Sequence, residues 1–82
     1  MSYTVQLVPR ALEQLAALSL EVQDLCLKVL TRLAVDPRAP SLSCLDQQYQ
    51  VYHRRFGDGT LVYRIYEAAE VIVVSRIRWR GP

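Results

Sequence analysis

Three consecutive runs of β-forming residues fill the last third of the chain and constrain its fold more than any other feature. The runs span Tyr49–Phe56, Thr60–Glu67 and Glu70–Trp79, and they are rich in valine, isoleucine and aromatic residues. Gly57–Gly59 supplies a turn between the first two runs, and Ala68-Ala69 is a short connection between the last two. Connections this short join antiparallel neighbours, so the pattern predicts an antiparallel sheet.

The first half of the chain adds one strand and two helices. Alternation over Tyr3–Val8 predicts the strand, and leucines at helical spacing predict a helix over Arg10–Leu18. Ser19 is a good N-cap for a second helix, which Asp36-Pro37 ends because a residue before proline avoids the helical region. The second helix carries one apolar stripe: Val22, Leu25, Cys26, Val29, Leu30 and Leu33.

These elements follow one another in the order β-α-α-β-β-β, with Arg38–Gln47 interpreted as a loop. The order predicts an α+β fold in which a helical hairpin covers one face of an antiparallel sheet. The chain has 82 residues, of which 51% are hydrophobic, and this suits one small domain spanning residues 1–82. Because a domain of this size buries a modest share of its surface, a bound partner would add to its stability.

Basic residues are concentrated towards the end of the chain. Residues 1–52 carry four basic and five acidic side chains, and residues 53–82 carry six basic and three acidic ones, so the net charges are −1 and +3. Charge gathered on one module is typical of a surface that binds RNA or an acidic partner. Arginines that keep edge strands soluble would give the same count.

Several functional classes find no support in the sequence. Cys26, Cys44 and His53 lack the spacing of a metal site, and no cofactor-binding or hydrolase motif is present, so we predict neither metal nor cofactor. Cys26 lies inside the apolar stripe and is interpreted as a buried structural thiol. The first residues do not resemble a signal peptide and no apolar run reaches membrane-spanning length, which predicts a cytoplasmic protein without membrane contact.

Alternation along the strands assigns each side chain to a face of the sheet. In the run Thr60–Glu67, the apolar side chains are predicted to face the helices, and Arg64 is predicted to lie on the open face. That apolar set is Leu61, Tyr63 and Ile65. In the run Tyr49–Phe56, the polar set is assigned to the open face with Arg64, and His53 to the opposite face. That polar set is Gln50, Tyr52 and Arg54.

The final run carries an alternating ladder of arginines. Arg76, Arg78 and Arg80 share one face, and Trp79 lies between two of them in sequence. Cations for phosphate and a ring for base stacking are the residue types of an RNA-binding edge. The candidate RNA-binding residues are therefore Arg55, Arg76, Trp79 and Arg80. In the alternative interpretation Trp79 closes the end of the core and the arginines lie in solvent.

His53 is a candidate acid or base, since an imidazole titrates near neutral pH. The alternative interpretation gives it a packing role, because alternation places it with Val51.

Several short motifs resemble those of the RelE/ParE toxin superfamily. They are L-x-P-R-A-L-E-Q-L at Leu7–Leu15, the helix exit Asp36–Arg38, the strand start Tyr49–Val51, and L-V-Y-x-I at Leu61–Ile65. Together with the β-α-α-β-β-β order, the resemblance covers nearly the whole chain, from Tyr3 to Arg80.

The resemblance implies the toxin of a type II toxin–antitoxin pair, with a cognate antitoxin as partner. RelE-like members cut messenger RNA on the ribosome through attack of a 2′-OH on the phosphodiester, using basic residues. ParE-like members share the fold and inhibit DNA gyrase without catalysis. A third alternative is a catalytically degenerate toxin that binds its antitoxin and nothing else.

The sequence departs from the RelE-like catalytic pattern. Gln50 and Tyr52 stand where that pattern has lysines, and Thr60 stands where it has an arginine. The family's arginine on the last strand aligns with Trp79, or with Arg78 or Arg80 after a slip of one residue. The family's C-terminal tail, which supplies an aromatic or histidine side chain, has no counterpart in the sequence.

The remaining basic and titratable residues provide substitutes for that pattern. The resemblance implies that Arg54, Arg64 and Arg78 supply positive charge at the scissile phosphate. Tyr52 or His53 then relays a proton. These five residues are the candidate catalytic set.

Overall fold

The computed structural model describes residues 2–38 and 43–81, apart from the side chain of Ser43. Its elements in chain order are β1 (Thr4–Leu7), α1 (Pro9–Ala16), α2 (Leu20–Val35), β2 (Ser43–Asp46), β3 (Val51–Phe56), β4 (Gly59–Tyr66) and β5 (Val71–Trp79). The five strands form one sheet in the order β1-β5-β4-β3-β2. Neither helix in these ranges has the length and hydropathy needed to cross a membrane.

The α+β class, the helical hairpin and the three C-terminal strands are confirmed, but the sheet is mixed. β1 pairs with β5 in parallel, with Val5 opposite Ile72 and Leu7 opposite Val74. The two helices between β1 and the rest of the sheet form a connection long enough to return the chain in this direction. The prediction of a purely antiparallel sheet is therefore wrong at this one pair.

A short strand replaces part of the predicted loop Arg38–Gln47. β2 pairs antiparallel with β3, and Cys44 lies opposite His53. Its four residues carry too little alternation to indicate a strand from the sequence. The strand forms because β3 provides an edge with which it pairs. Residues 39–42 of the predicted loop lie outside the described residues.

The helices begin and end where their local sequence permits. Pro9 occupies the first turn of α1, and the Ser19 hydroxyl accepts a hydrogen bond from the Val22 N–H at 3.4 Å. The predicted stripe of α2 turns inward, and Cys26, Leu30 and Leu33 are buried.

The core lies between the helical hairpin and one face of the sheet. Its buried apolar residues are Ala11, Cys26, Leu30, Leu33, Phe56, Leu61, Tyr63, Ile72, Val74 and Ile77. The prediction that Cys26 is a buried thiol is confirmed, and burial raises its pKa from 9.0 to about 11.

Two hydrogen bonds join the sheet to the end of α2. Arg54 is 2% exposed, and its Nη2 donates to the backbone carbonyl of Asp36 at 2.6 Å. The buried Tyr63 hydroxyl donates to the carbonyl of Pro37, also at 2.6 Å. The last carbonyls of a helix have no partner within it, so these bonds satisfy groups that would otherwise be costly to bury. We call Arg54 and Tyr63, with these two carbonyls, the exit clamp.

We expect Arg54→Ala to lower the free energy of unfolding by about 2–4 kcal/mol, because it removes a charge-assisted hydrogen bond and leaves a cavity beside an unpartnered carbonyl. Tyr63→Phe should cost about 1–2 kcal/mol for the loss of the hydroxyl. Chemical denaturation measures both. The matched control is Arg55→Ala, an exposed neighbour of the same type, which should change stability by about 0.5 kcal/mol or less. Equal losses for Arg54→Ala and Arg55→Ala would contradict the clamp.

The two thiols should react very differently with an alkylating reagent, because Cys44 is exposed and Cys26 is buried. In the native protein we expect rapid modification of Cys44 and protection of Cys26, with both modified in denaturing urea; mass spectrometry of peptides measures each site. The raised folded-state pKa also means that the contribution of Cys26 to stability is complete below about pH 9.0 and is lost as pH rises towards about 11. Equal modification rates in the native protein would contradict this burial.

Candidate nucleic-acid interface

The sheet face opposite the helices, called here the open face, carries the basic residues in rows that cross the strands. One row contains His53, Val62 and Arg76, and the strand register places each opposite the next. The adjacent row is formed by Arg55, Thr60 and Arg78. Neighbouring strands are about 4.8 Å apart, so β3 and β5 residues of one row lie about 10 Å from each other across β4.

A cleft of about 850 Å³ extends over this face. It is lined by arginines from α1, from β5 and from the residue that follows β5, and by two aspartates, one in β2 and one in the β3–β4 turn. These are Arg10, Arg76, Arg78 and Arg80, with Asp46 and Asp58. Within residues 2–38 and 43–81, none of these arginines makes an ion pair. The cleft therefore presents cations that remain available to an anionic ligand.

A β-bulge in β5 turns the arginine ladder towards the open face. Val62 pairs with Arg76 and Tyr63 pairs with Val74, so Ser75 has no partner in the register, and its hydroxyl donates to the Val62 carbonyl at 3.3 Å. The extra residue shifts the alternation of β5 by one. As a result Ile72 and Val74 are buried before the bulge, and Ile77 is buried after it.

The β3–β4 turn fixes the end of β5. Gly57 has a φ of 56°, and a Cβ at Gly59 would lie 2.5 Å from the Phe56 ring and 2.7 Å from the Arg78 carbonyl. The Asp58 carbonyl accepts a hydrogen bond from the Arg80 N–H at 3.1 Å. Glycine at these positions lets the turn pack directly against the backbone that carries the arginines.

The structure places most of the predicted site residues on the open face. His53, Arg55 and Arg64 lie there, as do Arg76 and Arg78. Arg64 lies outside the lining of the cleft, although it is exposed.

The prediction that Tyr52 and Arg54 lie on the open face is wrong. Both share the helix-covered face with Phe56, and Arg54 belongs to the exit clamp. Tyr52 stacks on Tyr63, with ring centroids 5.6 Å apart and planes 14° apart. His53 consequently lies on the open face with Val51, and Gln50 falls in the turn that precedes β3. The aromatic Phe56, two residues beyond Arg54, is the sequence signal that gives the correct alternation.

Trp79 closes the end of the core, as the alternative interpretation predicts. Its ring stacks on Phe56, with centroids 5.8 Å apart, and packs against the core. Trp79 is also among the residues that line the cleft.

Arg10 is a residue of the cleft that reasoning from the strands missed, because it belongs to α1. The helix packs along β5, and its Gln14 Oε1 accepts a hydrogen bond from the Ile77 N–H at 2.7 Å. The helical and strand periodicities in the sequence do not predict this contact between a helix and the edge of a strand. Across the described residues, no three His, Cys, Asp or Glu side chains come together as metal ligands.

We expect Gly59→Ala to destabilise the protein by about 1–3 kcal/mol, because the added methyl group overlaps the Phe56 ring and the β5 backbone. Thermal unfolding measures the loss, and Thr60→Ala serves as the neighbouring control. An unchanged melting temperature for Gly59→Ala would show that the turn is not packed in this way.

Comparison with known proteins gives matches in structure and none in sequence. No protein-family model and no curated protein matches the chain. A chain from the RelBE2 toxin–antitoxin complex of Mycobacterium tuberculosis superposes with a TM-score of 0.86 at 20% identity, covering 98% of this chain and 100% of that one. The isolated RelE toxin of E. coli gives 0.83 at 19% identity, covering 99% of this chain and 87% of that one.

An archaeal protein extends the same likeness. A chain from the RelE–RelB complex of Pyrococcus horikoshii superposes with a TM-score of 0.80 at 20% identity, covering 99% of this chain and 98% of that one. The resemblance drawn from the motifs is confirmed at the level of the fold: the chain has the fold of the RelE toxins.

Proposed function

We propose that this protein is the toxin of a type II toxin–antitoxin pair and that it inhibits translation by cutting messenger RNA on the ribosome. The RelE fold supports the first part of the proposal. The observation that carries the second part is the row of the open face in which His53 and Arg76 flank Val62, with Arg78 in the next row.

The geometry suits a phosphodiester placed above Val62. Arg76 and Arg78 then neutralise the charge that develops on the phosphoryl oxygens. Neutral His53 accepts the proton of the 2′-OH, whose oxygen bonds to phosphorus as the bond to the 5′-oxygen breaks. The products are a 2′,3′-cyclic phosphate and a 5′-hydroxyl that takes its proton from water.

The same comparison supports an antitoxin as a partner of the proposed toxin. RelE from E. coli and from P. horikoshii has been crystallised with RelB, and a M. tuberculosis relative with its own antitoxin. We propose an acidic or amphipathic antitoxin for this chain, with the ribosome and its messenger RNA as the target in the cytoplasm.

Purified protein added to ribosomes that carry messenger RNA provides the test. We expect site-specific cleavage by the wild type and a loss of about 100-fold or more in rate for His53→Gln and for the double variant Arg76→Ala/Arg78→Ala. Arg32→Ala, which removes one cation from the exposed side of α2, is the control and should cleave at the wild-type rate. Circular dichroism verifies that each variant is folded.

A gyrase inhibitor without catalysis is the second candidate function. It is favoured by the inward orientation of Tyr52 and Arg54, because this removes two of the five predicted catalytic residues from the open face. Growth arrest with intact messenger RNA and a DNA-damage response would replace the nuclease proposal with this one. Harmless expression in the absence of the antitoxin would instead indicate a degenerate toxin.

A further inference from the structure

We propose that Arg10 continues the phosphate-binding surface from the sheet onto α1, so that the open face binds single-stranded RNA along a path from β3 across β5 to this helix. The inference names a ligand-binding residue that lies outside the strands. It rests on the proposed function for the identity of the ligand, and its geometry is independent of catalysis.

The position of α1 follows from the length of β1. β1 pairs with β5 over Val71–Val74, so among the described residues no strand lies beside this edge of β5 beyond Val74. α1 packs along β5, and Gln14 satisfies the Ile77 N–H. Since Ile77 lies between Arg76 and Arg78, this bond holds α1 at a fixed distance from both arginines.

Arg10 lies four residues before Gln14 and therefore on the same side of α1, one turn closer to its N-terminus. The side chain is exposed and lines the cleft with Arg76 and Arg78. Within the described part of the chain it makes no ion pair, even with Glu13 three residues away.

Helix stability does not explain a cation at this position. The first turn of a helix favours acidic side chains, and α1 has none there. Arg10 adds positive charge to the positive end of the helix dipole. An anionic ligand in the cleft relieves this unfavourable arrangement, which is the physical reason to assign Arg10 to binding.

The lining of the cleft favours a single strand. The aromatic residues Tyr49 and His53 line it together with the arginines, and Tyr49 is 60% exposed. Cations that follow a phosphate backbone, with exposed rings on which bases stack, characterise surfaces for single-stranded nucleic acid. Asp46 and Asp58, also in the lining, repel phosphate and so limit where the backbone can lie.

The test measures binding separately from cleavage. The probe is a short fluorescent single-stranded RNA whose 2′-hydroxyls are methylated, so that it cannot be cut, and anisotropy gives its Kd over a range of salt concentrations. For Arg10→Ala we expect binding about tenfold weaker at low salt and a slope of log Kd against log salt reduced by about 0.7, the loss of one phosphate contact. Arg10→Lys should retain the slope, and Arg32→Ala should match the wild type.

A double-mutant cycle tests the role of Gln14. Gln14→Met removes the acceptor for the Ile77 N–H at similar volume, and we expect it to weaken RNA binding when Arg10 is present but not in the Arg10→Ala background. Thermal unfolding shows whether each variant remains folded at the temperature of the binding assay. Equal effects of Gln14→Met in both backgrounds would overturn the positioning of Arg10 through this bond.

The remaining outcomes separate this inference from the proposed function. RNA binding with an Arg10-dependent slope, but no cleavage on ribosomes, would support the inference and reject the nuclease. Wild-type slopes for Arg10→Ala, or the same loss for Arg32→Ala, would overturn the inference whether or not cleavage occurs. Tighter, Arg10-dependent binding of duplex DNA would reject single-stranded RNA as the ligand.

Discussion

The exit clamp holds the helical layer to the sheet and also determines which side chains the sheet exposes. A buried guanidinium loses its hydration, and it is retained here because the carbonyl of Asp36 and its surroundings replace water. With Arg54 facing inward, strand alternation places His53 and Arg55 on the open face. A slip of one residue would reverse every assignment along β3 and leave the guanidinium without its carbonyl, so the clamp also specifies the register.

The bulge at Ser75 determines which side chains of β5 lie on the open face, as the exit clamp does for β3. Strict alternation would place Arg76 and Arg78 on the same side as Ile72 and Val74, and therefore in the core. The unpaired residue lets one strand bury isoleucine and valine in its first half and expose arginines in its second. The composition of the open face thus depends on one inward arginine in β3 and one extra residue in β5.

The sequence predicts the helices, the three C-terminal strands and the arginine ladder because each has a periodicity of its own. The apolar stripe of α2 is read along a single element, and so is the spacing of Arg76 and Arg78. The wrong predictions concern residues whose position is determined by a contact between two separate elements. Arg54 has a polar side chain, which predicts exposure, but it is buried by its hydrogen bond to the end of α2. β2 forms because β3 offers an edge. Arg10 lines the cleft because α1 packs along β5, a strand that is distant in sequence, with the Gln14–Ile77 hydrogen bond among their contacts.

The same arrangement connects binding with stability. Within the described residues, the arginines that line the cleft make no ion pairs and are gathered on one face of a small domain. Their mutual repulsion lowers the stability of the folded state in the absence of a ligand. Any anionic partner that binds the folded chain and not the unfolded chain shifts the equilibrium by RT ln(1 + [L]/Kd), whether that partner is RNA or an acidic antitoxin segment. If both bind the open face as proposed, they compete for one set of cations. An antitoxin that occupies the open face would therefore stabilise the protein and exclude RNA through the same contacts.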